Sequence, residues 1–188
     1  MPVTDIFVGG AGDRIFKCAK TYVDKFAADH PTRQVIYLPQ GSRRQLRQIL
    51  ETLPAGQTIN IIGHSWGAAD VAWALAQTGS DCTFDHIIGI DPVGKFSRHI
   101  GETEDLAQKV ISVHAVGSEG RLIDGNITAR IARQFGAAYP AIFEHPDALK
   151  IDAPFAHYDV TRMMRHPDDD GVSVEDRLLG RTDTASSV

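Results

Sequence analysis

Short apolar runs alternate along this chain with segments in which apolar residues recur at every third or fourth position. The runs predict strands, and the recurring spacing predicts helices that each bury one face. Strands that alternate with helices favour a parallel sheet covered on both faces. The pattern therefore predicts an α/β fold, a three-layer αβα sandwich with a mostly parallel sheet, whose strands are expected at residues 4–8, 34–38, 58–62, 86–90, 110–116 and 148–151.

Helices are predicted between these strands, from residue 13 onward and at residues 42–53, 68–77 and 123–139, and after the last strand at residues 158–165. In the first of them, Ile15 and Phe16 belong to the same apolar pattern as Tyr22, which predicts that one helical face buries all of them. The second begins with Ser42 and Gln45 at the spacing of a capping box.

The length and composition indicate a single globular domain. The chain has 188 residues, of which 43% are hydrophobic and 23% charged, and these values are typical of one folded unit. We expect one domain over residues 1–188, with a frayed tail at residues 182–188. The oligomeric state is left open between monomer and homodimer.

Charge and targeting signals narrow the possible partners. The net charge of −5 argues against binding to nucleic acid through phosphate contacts. No apolar run is long enough for an integral membrane segment, and no secretory signal is visible. Cys18 and Cys82 do not form a CxxC motif, which indicates reduced thiols. We therefore expect a cytoplasmic protein, and export without a signal peptide stays open.

The most specific motif is Gly63-His64-Ser65-Trp66-Gly67, which directly follows a predicted strand and precedes a predicted helix. This is the G-x-S-x-G pattern of a nucleophile elbow in the context that the motif requires. The turn presents the serine at a helix N-terminus, where free N–H groups favour developing negative charge. Ser65 is therefore the candidate nucleophile.

A serine hydroxyl needs a base to remove its proton, and the chain offers eight histidines. His157 lies after the last predicted strand and before the last predicted helix, which is where a base can reach the carboxyl edge of the sheet. His145, in a loop before proline, is the alternative. His64 lies inside the elbow and is expected to point away from the serine.

The base needs an acid that orients its ring. Asp91 stands at the carboxyl end of the fourth predicted strand, and Pro92 is expected to hold it in an extended conformation. Glu119 and Asp124, after the fifth predicted strand, are the alternatives.

The tetrahedral intermediate of acyl transfer also needs N–H donors for its oxyanion. The N–H of Trp66, next to the nucleophile, is one candidate, and Gly10 or Ala11 in the glycine loop after the first strand is the other. The loop does not match the G-x-G-x-x-G motif of dinucleotide-binding proteins. Ile15 occupies the place of the third glycine, and no acid follows the second strand. We expect no cofactor, and no metal site, since no zinc-binding motif is present.

The elbow, the glycine loop, Asp91 and His157 together resemble the α/β-hydrolase superfamily, in particular its compact serine esterases and lipases. The order serine, aspartate, histidine along the chain matches that superfamily, and the resemblance spans residues 3–166. It implies a minimal α/β-hydrolase fold without a cap domain. The chain departs from the pattern in having no His-Gly pair before the glycine loop and no early antiparallel strands.

The resemblance implies hydrolysis of a small-molecule or lipid ester through an acyl-enzyme on Ser65, with His157 as base and Asp91 as its orienting acid. Val93 and Phe155 are candidate substrate-binding residues, and packing in the core is the alternative for both. A thioesterase or an acyltransferase would use the same site. A catalytically inactive binding module with this fold is the alternative from another class.

Overall fold

A parallel six-stranded sheet forms the centre of the computed structural model, which describes residues 3–54, 56–78, 84–94, 107–117 and 140–181. Its strand order is β2-β1-β3-β4-β5-β6, and every neighbouring pair runs parallel. The strands are β1 (Val3–Val8), β2 (Gln34–Leu38), β3 (Thr58–His64), β4 (Phe84–Ile90), β5 (Ala107–Ala115) and β6 (Leu149–Ala153).

The described helices cover the two faces of this sheet. They are α1 (Asp13–Phe16), α2 (Cys18–Asp29), α3 (Arg43–Thr52), α4 (Trp66–Leu75), α5 (Val160–Met164) and α6 (Val174–Leu178), and a 3-10 turn lies at Ala141–Glu144. Apolar residues of α2, α5 and α6 pack on one face of the sheet, and those of α3, α4 and the 3-10 turn pack on the other.

The strands read as continuous apolar runs because both of their faces are buried. Along β1, Phe7 points into the core beneath α2, whereas its neighbours Ile6 and Val8 point into the core beneath α3 and α4. The same alternation places Ile61 and Ile62 of β3 in opposite cores. The α/β class predicted from the sequence is confirmed. The predicted helix at residues 123–139 and the predicted tail at 182–188 lie outside the described residues.

The first predicted helix is interrupted, and this part of the prediction is wrong. Lys17 adopts a left-handed backbone conformation with φ of 53° and separates α1 from α2. Because the helix restarts with a new phase, Ile15 and Phe16 leave the apolar face and are 78% and 64% exposed, whereas Tyr22 is buried as expected.

The capping predictions also need correction. The side chain of Ser42 makes no capping hydrogen bond to α3. A complete capping box is present instead at Ser173, whose hydroxyl accepts from the N–H of Asp176 at the start of α6. The sequence pattern does not predict α6, since its single turn is too short to show a helical apolar period.

A buried polar network joins the strands at the end of the sheet opposite the elbow. The Asp5 carboxylate, which is fully buried, accepts two hydrogen bonds from Arg33, at 2.5 and 2.7 Å, and one from Asn60 at 2.8 Å. The Nδ1 atom of His86 lies 2.9 Å from the side-chain oxygen of Asn60. The network therefore links β1, β3 and β4 to the turn before β2.

Across the described ranges, no helix is long and apolar enough to cross a bilayer.

Candidate catalytic site

The candidate site lies at the carboxyl ends of β1, β3 and β4. From β1 the chain passes to β2 on one side and then returns to form β3 on the other side of β1. The strand order therefore reverses between β1 and β3, which is the topological switch point where open parallel sheets bind ligands. The glycine loop follows β1, and Ser65 follows β3.

The turn at Ser65 has the strained geometry of a nucleophile elbow. Ser65 has φ of 53° and ψ of −126°, a region that non-glycine residues rarely occupy. Both glycines of the turn are required because a side chain would not fit at either position. A Cβ on Gly63 would lie 2.5 Å from the Cα of Ala68, and one on Gly67 would lie 2.3 Å from the carbonyl oxygen of Val8. The close contact between β1, the turn and α4 therefore depends on both glycines.

The structure brings Ser65, His157 and Asp91 into one hydrogen-bonded chain. The Oγ atom of Ser65 lies 2.9 Å from Nε2 of His157, and Nδ1 of His157 lies 2.5 Å from Oδ2 of Asp91. A carboxylate can only accept, so Nδ1 carries the ring proton and donates it to Asp91. Nε2 is then unprotonated and accepts from the serine hydroxyl. All three residues are buried.

Asp91 is held by its backbone as well as by His157. Its N–H donates to the carbonyl of Val113 at 2.6 Å, and its Oδ1 accepts from the N–H of Ala115 at 3.3 Å. The extended conformation expected before Pro92 is wrong, since Asp91 has φ of 39°. These contacts with β5 hold the strained backbone in place.

His64 is a residue of the site to which the sequence analysis assigned no role. It is buried, and its Nε2–H donates to the carbonyl of His157 at 3.0 Å, with the two ring centres 4.9 Å apart. Burial, followed by the nearby His157, lowers the pKa of His64 to about 4, so the ring is neutral at physiological pH. No sequence signal pointed to this contact, because it joins residues 93 positions apart.

The glycine loop packs directly against the elbow. A Cβ on Gly10 would lie 2.7 Å from the Cβ of Ser65, so only glycine allows this approach. Within the described chain, the backbone N–H groups of Gly10, Ala11 and Trp66 donate to no other protein group. Trp66 is the first residue of α4, where the helix itself leaves N–H groups free. The loop and the helix thus offer unpaired donors beside the serine.

A buried carboxylate anchors the glycine loop from behind. Asp13 accepts from the N–H of Ala19 at 2.8 Å and of Lys20 at 3.2 Å, at the start of α2. It also accepts a short hydrogen bond from the hydroxyl of Tyr37 in β2. Burial, together with the hydrogen bond to Asp13, raises the pKa of Tyr37 above its usual value, so it stays a donor.

The remaining predicted residues are placed as follows. Val93 is buried, and its N–H donates to the carbonyl of Ser65 at 3.1 Å. Phe155 is half-buried, with its ring against Arg162 and His166. His145, the alternative base, lies 3.5 Å from Asp147. Glu119 and Asp124, the alternative acids, lie outside the described residues.

In the described part of the chain, no three His, Cys, Asp or Glu side chains are grouped to hold a metal ion.

Comparison with known proteins adds only distant structural likeness. No family model matches the chain, and no curated protein matches its sequence. Among solved structures, the chain is similar to the metagenomic carboxyl esterase MGS0156, with 15% identity and a TM-score of 0.46. The match covers 96% of this chain and 70% of the esterase chain. A likeness of this degree carries no argument about activity, which has to be inferred from the geometry of the site.

Proposed function

We propose that the protein is a serine hydrolase that cleaves carboxylic esters through a triad of Ser65, His157 and Asp91. The observation that carries the proposal is the buried hydrogen-bonded chain from Ser65 Oγ through His157 to Asp91, with heavy-atom distances of 2.9 and 2.5 Å. A nucleophile, a base within hydrogen-bonding reach and a third group that orients the base are the arrangement needed to activate a serine.

The reaction begins when Nε2 of His157 takes the proton from Ser65 as Oγ attacks the ester carbonyl carbon. The carbonyl π electrons move onto oxygen, and the resulting oxyanion is stabilised by the N–H of Trp66 and by that of Gly10 or Ala11. Asp91 keeps the ring proton on Nδ1 and balances the positive charge on the imidazolium. His64 is neutral and bears no charge that would oppose this step.

The intermediate collapses when the bond between the carbonyl carbon and the alcohol oxygen breaks. His157 gives its proton from Nε2 to the departing alkoxide, which leaves an acyl-enzyme on Ser65. Water then attacks the acyl carbon as His157 takes a proton from it. In the second intermediate the bond between the carbonyl carbon and Ser65 Oγ breaks, His157 returns its proton to Oγ, and the carboxylic acid is released.

An active-site probe tests the nucleophile. A fluorophosphonate should label the wild-type protein at Ser65 and fail to label Ser65→Ala, which should also lose p-nitrophenyl acetate hydrolysis. Ser42→Ala is the matched control, because the Ser42 side chain makes no capping contact, and it should label as the wild type does. An intact fold with no labelling of the wild type would support an inactive binding module instead.

The same assays separate the acid from its alternatives. Asp91→Asn should lower kcat about a thousandfold or more, since the amide no longer enforces the required tautomer of His157. Glu119→Gln should leave kcat within a fewfold of the wild type. If Glu119→Gln abolishes turnover and Asp91→Asn does not, the assignment of Asp91 is overturned.

A further inference from the structure

Two large apolar side chains project from the protein beside the candidate site. Ile15 is 78% exposed and Phe16 is 64% exposed. Both belong to α1, the single helical turn that follows the glycine loop. A single exposed apolar side chain is common on protein surfaces and needs no explanation. A function for Ile15 and Phe16 has to be argued from their position next to the site and from the backbone conformation that exposes them.

The backbone holds Ile15 and Phe16 outward. Left-handed residues bound the turn on both sides, Gly12 with φ of 85° and Lys17 with φ of 53°. Asp13 points inward and binds the first N–H groups of α2, which anchors the turn. Had α1 continued into α2 without the break at Lys17, the two apolar residues would share the buried face, as the sequence pattern predicted. The exposed arrangement is therefore specified by strained backbone and a buried anchor.

Phe16 is linked to the candidate triad through Tyr158. The Phe16 ring contacts the Tyr158 ring at a centroid distance of 5.7 Å, and the Tyr158 ring contacts that of His157 at 5.1 Å. On its other side, Phe16 lies against the glycine loop, since a Cβ on Gly12 would lie 3.3 Å from the Phe16 ring. We call Ile15, Phe16 and Tyr158 the apolar platform. It starts at the candidate base and extends along the candidate oxyanion loop.

We propose that the apolar platform binds the aliphatic chain of an ester substrate whose carbonyl lies at Ser65. This inference rests on the proposed function and specifies its substrate class: esters with an extended aliphatic chain, in preference to short-chain esters such as methyl acetate. The platform is built of carbon surface, and a chain that leaves the reacting carbonyl along it would remove that surface from water. The arrangement is open, so it contacts one side of the chain and does not enclose it.

The test compares ester series in which the aliphatic chain grows on one side of the ester bond. One series is p-nitrophenyl acetate, butyrate and octanoate, and the other is methyl, butyl and octyl acetate. All are used as monomers below their micelle concentration. In the wild type, kcat/KM should rise with chain length in one series, and that series identifies whether the acyl or the alcohol chain lies on the platform.

Phe16→Ser and Ile15→Ser should each lower kcat/KM for the octyl-length substrate about tenfold, the effect expected from losing apolar contact of this size. They should lower kcat/KM for methyl acetate much less, because its chains are too short to extend along the platform. Arg14→Ser is the matched control, because Arg14 is exposed on the same turn and is not part of the platform. It should keep the wild-type dependence on chain length. All of these side chains are exposed, so the variants should keep the wild-type thermal unfolding temperature.

A binding measurement separates the failure of this inference from the failure of the proposed function. In Ser65→Ala, the ketone 2-decanone should shift the NMR signals of the Phe16 ring and bind about tenfold more weakly after Phe16→Ser. Binding without any ester turnover in the wild type would refute the hydrolase and retain the platform. Turnover with equal chain-length dependence in the wild type and both platform variants would overturn the platform and retain the hydrolase. The octyl-length assay is repeated above the micelle concentration. An effect of the variants that appears only there would also overturn the platform and indicate a lipid-surface contact.

Discussion

At the scale of single residues, the site depends on side chains whose backbone is held away from its preferred conformations. Ser65 and Asp91 both have positive φ, at 53° and 39°. Each is compensated locally: the N–H of Ser65 donates to the carbonyl of Ile90, and Asp91 is bonded to β5. Such strain persists only where surrounding contacts over-determine the conformation, and it concentrates at functional sites.

A single residue, His64, should make the free energy of unfolding depend on pH. Its pKa is lowered to about 4 in the folded chain, from 6.5 ordinarily, chiefly by burial. Between these values the unfolded chain binds a proton at this residue that the folded chain does not. The contribution of the neutral His64 ring to the free energy of unfolding is therefore fully present above about pH 6.5. It is lost progressively as the pH falls towards 4, and the total loss is up to about 3 kcal/mol.

We expect His64→Gln, which keeps a side-chain N–H donor, to show a shallower loss of stability over this range. The measurement is the free energy of unfolding in urea at pH 7 and pH 4.5 for both proteins. Half-buried His86, whose pKa is also lowered by its partial burial, contributes to both slopes and cancels in the comparison. Parallel slopes for wild type and variant would show that His64 titrates normally in the folded protein.

At the scale of elements, the junction of β3 and α4 is set by the space available to backbone atoms. Gly67 does not have a positive φ, so its requirement is steric. An added Cβ would meet the carbonyl oxygens of Val8 at 2.3 Å and Gly9 at 2.6 Å, which are backbone atoms that cannot rotate away. The turn therefore cannot accept even a methyl group without separating α4 from β1.

Gly67→Ala should lower the free energy of unfolding by about 3 kcal/mol or more, the cost of forcing an extra methyl group into a packed interior. Gly171→Ala is the matched control, because Gly171 has φ of 81° and no atom near the position of an added Cβ. It should cost only about 1 kcal/mol, from the left-handed backbone alone. Urea unfolding measures both, and equal losses in the two variants would contradict the steric account.

The elements also show how far the sequence could predict this structure. The positions of the described strands and the three residues of the candidate triad follow from apolar runs and from loops at strand ends, which are local signals. The break at Lys17 did not follow, because an apolar period of three and four continues through it, and the anchoring by Asp13 and Tyr37 depends on contacts between distant elements. The sequence has a capping-box pattern at Ser42, but the Ser42 side chain makes no capping hydrogen bond. Residue spacing alone does not fix a side-chain rotamer.

At the scale of the whole molecule, two buried polar clusters lie towards opposite ends of the sheet. The candidate triad lies at the carboxyl ends of the strands, and the network of Asp5, Arg33 and Asn60 lies towards the opposite end. In the network, the Arg33 side chain is only 12% exposed, and that of Asp5 is fully buried. A buried pair of this kind contributes little net stability when intact, and breaking it by removing one partner is costly because an unpaired charge stays buried.

Arg33→Met should therefore destabilise the fold by about 3 kcal/mol. Methionine can still pack against the Phe26 ring, over which the Arg33 guanidinium lies. The double variant Asp5→Asn, Arg33→Met should be more stable than Arg33→Met alone, since it removes the orphaned charge and leaves an oxygen to accept from Asn60. Urea unfolding of the wild type, both single variants and the double variant gives the coupling between the two residues. Ester turnover per folded molecule should stay at the wild-type value in all four proteins, because the network touches none of the reacting groups. A double variant less stable than Arg33→Met would show that the loss comes from packing and not from the buried charge.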